Sequence, residues 1–108
     1  MSYFKIKRRD TSPAILATLT DANGTPVNLL GATVRFHMRP VNTETATVDA
    51  AAVIVNPSAG TVRYDWQTSD TAVAGLHEAE WEATYSDNTV ETFPNSGTQL
   101  IRIDPDIA

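Results

Sequence analysis

The chain has 108 residues, 42% of them hydrophobic, with thirteen acids against eight lysines and arginines and a formal charge of −5. That length suits one domain over residues 1–108 that buries very roughly 65% of its unfolded surface without staples. It has no cysteine, hence no disulfide, thiolate metal site or cysteine nucleophile, and no run nears the roughly 18 apolar residues of a membrane span.

Two-residue alternation recurs along the chain, and no segment sustains a helical period. The opening, Met1 to Asp10, is basic without an apolar run behind it, so it reads as a first strand and not as a secretory signal. Ile15, Ala17 and Leu19 alternate with Leu16, Thr18 and Thr20, and Asn23-Gly24 then signals a hairpin because both residues tolerate positive φ. Val34, Phe36 and Met38 form an apolar face with Arg35, His37 and Arg39 opposite, and Pro40 ends the run.

Residues 41–50 read as a loop with room for a short edge strand. Ala51 to Val55 is a compact apolar strand stopped by Asn56-Pro-Ser-Ala-Gly60, and Val62, Tyr64 and Trp66 mark the next half-buried strand. Thr71 to Gly75 reads as a single helical turn capped by Ser69 or Asp70. Ala79, Trp81, Ala83 and Tyr85 alternate with Glu78, Glu80, Glu82 and Thr84. A turn at Ser86-Asp-Asn88, a return over Thr89 to Phe93 and a last strand over Thr98 to Ile103 complete the pattern. This is an all-β chain, an immunoglobulin-like antiparallel β-sandwich of about seven to eight strands. Phe36, Trp66 and Trp81 are its expected core.

Catalytic templates fail on residue supply: there is no Gly-x-Ser-x-Gly, no phosphate-binding glycine loop and no His-Glu-x-x-His. His37 lies between two arginines on an outward face, and His77 reads as a surface or interface residue at a strand start. Glu78, Glu80 and Glu82 share one face at a spacing of about 6.6–7 Å, near the 5–5.5 Å of a retaining glycosidase pair. With both tryptophans on core faces, however, they read as a solvated acidic strand. Asp21-Ala-Asn23 and Asp104-Pro-Asp106 offer oxygen ligands but are shorter than a specific calcium loop. The expectation is a protein with no catalytic residues, metal or cofactor.

Charge is unevenly distributed. Residues 1–39 hold six basic groups against two acids, and residues 40–108 hold two against eleven. An acidic total argues against nucleic-acid binding, which rests on phosphate neutralisation. The segregation lets the basic end of one subunit meet an acidic neighbour, which makes Lys5, Lys7, Arg8 and Arg9 the candidate partner-docking residues.

The order of the first third resembles the N-terminal immunoglobulin-like domain of phage baseplate upper proteins. It runs Phe4-Lys-Ile-Lys-Arg-Arg-Asp-Thr-Ser-Pro13, Ile15 to Gly24, then Pro26-Val-Asn-Leu-Leu-Gly-Ala-Thr-Val-Arg-Phe-His-Met-Arg39. Gly75 to Asp87, Thr92-Phe-Pro94 and Leu100-Ile-Arg-Ile103 are similar to that family's closing half. The resemblance implies a structural component of a tailed-phage virion, made in the host bacterial cytoplasm and assembled in multiple copies in the baseplate or tail. Its partners would be other virion proteins, with no nucleic acid or membrane. In that family the sandwich precedes helical and receptor-facing parts, whereas this sequence closes with the sandwich. A capsid decoration or neck accessory protein is therefore an alternative placement. A carbohydrate-binding or adhesion module is the alternative of another class, to be recognised by exposed aromatics on a sheet face.

Overall fold

A computed structural model describes residues 3–107. The strands are β1 (Phe4–Lys7), β2 (Ile15–Thr18), β3 (Thr33–Pro40), β4 (Val48–Ala51), β5 (Val53–Asn56), β6 (Thr61–Tyr64), β7 (Gly75–Thr84), β8 (Val90–Phe93) and β9 (Gln99–Asp104). Their alternating sequences give each one apolar face. Two sheets bury those faces against each other, the arrangement of a β-sandwich.

The larger sheet runs β1-β9-β7-β3-β4, with β8 also paired to β7, and the smaller runs β2-β6-β5. Strand β7 is the organising element. One of its edges pairs with β3 over eight registered positions, from Thr33↔Thr84 to Pro40↔His77. The other is divided, β9 pairing with Gly75–Ala79 and β8 with Trp81–Thr84. All pairs are antiparallel except β1 with β9.

The fold is the all-β sandwich that the alternation predicts, with differences in detail. Among the described residues nine strands replace seven to eight, because the run Ala51 to Val55 is divided between two sheets. It leaves β3 at Ala51, passes through Ala52 and joins β6 at Val53. The crossover closes one side of the sandwich and leaves Val53 and Val55 partly exposed at the edge of the smaller sheet. The helical turn is a 3-10 turn over Thr68–Thr71, earlier than Thr71 to Gly75. Its N-cap is Gln67, not Ser69 or Asp70, and Asp70 in the third helical position accepts from the Gln67 N–H at 2.8 Å.

The core is aromatic at its centre. Phe36 is fully buried and stacks on Tyr64 at a centroid distance of 4.6 Å, with Trp81 at 4.8 Å and Trp66 at 5.6 Å meeting it edge-on. Such offset and edge-to-face contacts contribute beyond area alone. Phe36 and Trp81 are also directly paired across β3 and β7, so one contact joins strand register to core packing.

Two glycines hold the turns by different means. At Gly24 φ is +81°, and a Cβ there would meet nothing within 4 Å. Asn23 is not in the positive-φ region, so only one residue of the pair uses that freedom. Asp21 closes the turn by accepting from the N–H groups of Asn23 and Thr25 at 2.9 and 3.0 Å. At Gly60 φ is +67°, and a Cβ would lie 2.8 Å from the Leu19 carbonyl oxygen and 2.9 Å from that of Val27.

Trp66→Ala and Trp81→Ala should each cost about 3–5 kcal/mol in denaturant unfolding, and losses below about 1 kcal/mol at both would mean that the rings do not support the core. Gly24→Ala should cost about 1–2 kcal/mol, from backbone strain alone. Gly60→Ala should cost clearly more, because two backbone carbonyls must also move; equal losses would contradict the close approach.

Candidate functional site

The candidate docking residues lie on and just after β1, an edge of the larger sheet. Ile6 points into the core, so Lys5 and Lys7 point out, and both are exposed. They sit in register with Arg102 and Asp104 of β9. Arg8 turns to the chain end, its Nε and Nη2 donating to Asp106 Oδ1 at 3.1 and 2.9 Å. Lys7 Nζ reaches the Pro105 carbonyl at 3.4 Å.

Arg9 adopts positive φ, +67°, and its N–H donates to the Thr71 carbonyl at 3.0 Å. Thr71, fully buried, returns its hydroxyl to the Asp10 carbonyl at 2.9 Å. The basic stretch is thus fastened to the 3-10 turn and to the C-terminal residues. The four side chains do not form one free cluster. Arg8 has a carboxylate partner, whereas Lys5, Lys7 and Arg9 form no ion pair among the described residues.

The acidic strand face is not simply solvated. Register places Glu78 opposite Arg39, Glu80 opposite His37 and Glu82 opposite Arg35. The outward basic row of β3 therefore lies beside the acidic row of β7, the favourable cross-strand arrangement of opposite charges. Arg39 Nε binds Glu78 at 2.9 Å, while Arg35 Nε and His37 Nε2 share Asp49 Oδ1 of β4 at 2.8 and 3.1 Å. A cleft of about 220 Å³ opens over His37, Arg39 and Glu78, bordered by Glu44, Asp49, Glu80 and Thr98.

His77 is a correction to the sequence reading. It is 3% exposed and faces the core, with Nδ1 3.1 Å from the Gly75 carbonyl oxygen. The signal was available, since His77 is in phase with Ala79, Trp81 and Ala83. Among the described residues no group of three or more His, Cys, Asp or Glu side chains could hold a metal ion. Trp66 and Trp81 lie between the sheets and offer no sugar platform.

Titration follows local contacts. The Arg35 hydrogen bond holds the Asp49 carboxyl below its usual range, and the Arg8 hydrogen bond does the same to Asp106. Burial first, then the hydrogen bond to Glu91, pushes the Tyr85 phenol up to about 12. Burial and its hydrogen bond to Asp70 push Tyr64 up as well.

The Arg8–Asp106 tether gives a pH prediction. Because the folded-state pKa of Asp106 is lowered, the tether stabilises the fold above the unfolded value of about 3.9 and loses its effect as pH falls through the folded value. Carboxyl carbon NMR titration should place Asp106 below the ordinary aspartate range, and Arg8→Ala should raise it. An Asp106 titration unchanged by Arg8→Ala would show that the pair does not form in solution.

Comparison with known proteins agrees with this architecture. The crystal structure of CopC from Methylosinus trichosporium OB3b superposes with a TM-score of 0.55 at 11% identity, over 100% of this chain and 89% of that one. At that identity the likeness concerns the fold alone. No curated protein matches the sequence. Residues 3–93 match the BppU N-terminal domain family, which covers all but β9 of the strands described above. The chain therefore belongs to the family of the N-terminal domain of the phage baseplate upper protein.

Proposed function

We propose that this chain is a non-enzymatic structural part of a tailed-phage baseplate, a single immunoglobulin-like domain that works through protein–protein contacts. Its place is the virion, in several copies, after synthesis in the host cytoplasm. Membership of the baseplate upper family carries the reading. The geometry supports it in kind: the sandwich presents a basic edge at β1, and many of its charged outer groups are paired with one another. The carbohydrate alternative required exposed aromatic faces, and the two tryptophans are inside.

The docking role is assigned to Lys5, Lys7, Arg8 and Arg9, with unequal parts. Lys5, Lys7 and Arg9 attract an acidic neighbour, and Arg8 braces the segment through Asp106. Edge strands are open to pairing, and lysines on them discourage chance partners while favouring acidic ones.

Labelling the chain in purified particles should mark the tail tip; label on the capsid or neck would overturn the baseplate placement. Within the same particles, Lys5→Glu/Lys7→Glu/Arg9→Glu should fold normally by circular dichroism yet incorporate poorly. Arg8 is left intact in this variant because its reversal would set two carboxylates together at Asp106. Incorporation equal to the parent across a range of salt would remove the docking role.

A further inference from the structure

We infer that the outer face of the larger sheet is self-complementary and pairs two copies of this chain about a two-fold axis. The inference rests on the docking reading of Lys5 and Lys7 and names a second copy as their acidic partner.

Internal pairing leaves several charges of this face over. On this face Arg102 is paired with Asp104, Arg39 with Glu78, and both Arg35 and His37 with Asp49. Three acids near the far half, Glu44, Glu80 and Glu82, form no ion pair among the described residues, and neither do Lys5 and Lys7 at the β1 edge. The residual charge is therefore segregated, positive on β1 and negative on β7 and around the cleft that Glu44 and Glu80 border. Across the sheet the two halves are two to three strand spacings apart, about 10–15 Å, and because Lys5 is level with Leu76, Glu80 also lies four residues, about 13 Å, further along the strands.

Between them the face is less polar. Leu76 of β7 and Leu100 of β9 point outward on neighbouring strands, each half-buried. Placing a two-fold axis near these leucines lays the β1 edge of each copy over the acidic half of the other. Both contacts then form at once, and a same-face contact of this kind closes as a dimer where a head-to-tail one would propagate. Antiparallel sheets commonly leave one face to solvent, so the face needs no rearrangement to be covered. With its charged contacts at the rim, the dimer is weak and salt-sensitive.

Charge exchange between copies tests the pairing. By analytical ultracentrifugation the parent should form dimers at about 0.01 M salt, where screening acts over ~30 Å, and monomers near 1 M, where it acts over ~3 Å. Lys5→Glu/Lys7→Glu and Glu44→Lys/Glu80→Lys should each be monomeric alone at low salt, with dissociation constants raised at least about tenfold. Mixing the two variants should restore a dimer, because both contacts of the mixed pair are then attractive.

A parent that stays monomeric at low salt, a mixture that fails to associate, or a ladder of longer species would each overturn the two-fold pairing. Loss of particle incorporation by Lys5→Glu/Lys7→Glu together with a monomeric parent would leave the docking reading standing while removing the second copy as its partner.

Discussion

The structure depends on the contact between Phe36 and Trp81. These residues are paired across β3 and β7, and their rings meet at 4.8 Å in the space between the sheets. Tyr64 and Trp66, from the end of β6 and the segment after it, complete the cluster from the smaller sheet. A slip of one residue between β3 and β7 would turn Phe36 and its neighbours to the other face. The same slip would break the opposition of Arg39, His37 and Arg35 to Glu78, Glu80 and Glu82. Core and surface thus select one register.

From that register follows the division of the outer surface. Most of its charges are spent on one another, which leaves a basic edge on β1 and acids on the other side of the sheet. The basic edge is held in place by contacts from distant parts of the chain. Arg8 reaches Asp106, Arg9 binds the Thr71 backbone and β1 runs parallel to β9. Such bracing favours recognition by lowering the cost of ordering the surface when a neighbour binds.

Much of this was legible from alternation and turn chemistry. Val34-Phe36-Met38 and Ala79-Trp81-Ala83 are inward in the structure as in the pattern, and Gly24 takes positive φ after a turn closed by Asp21. What was not legible depends on distant partners. Nothing local in Ala51-Ala-Val-Ile-Val55 shows that Ala52 passes between sheets, because both halves are ordinary strand sequence. The parallel pairing of β1 with β9 and the Arg8–Asp106 bridge join the two ends of the chain. In the sequence the acidic row reads as solvated because the basic row it faces lies about forty positions earlier. The sequence points to a turn later than the 3-10 turn because Asp70 resembles a cap, whereas it reaches back to the Gln67 N–H and also accepts from Tyr64.

The proposed docking role of the β1 edge requires that Lys5 and Lys7 touch carboxylates of a neighbouring chain inside the assembled particle. Zero-length carbodiimide cross-linking of intact particles, read by mass spectrometry, tests it most directly, since it joins amines only to carboxylates already in contact. The account predicts that Lys5 and Lys7 are joined to aspartates or glutamates of a neighbouring chain, and that these links fade when particles are treated in high salt. It is contradicted if both lysines form no such links and react with amine reagents in the particle as freely as in the isolated chain.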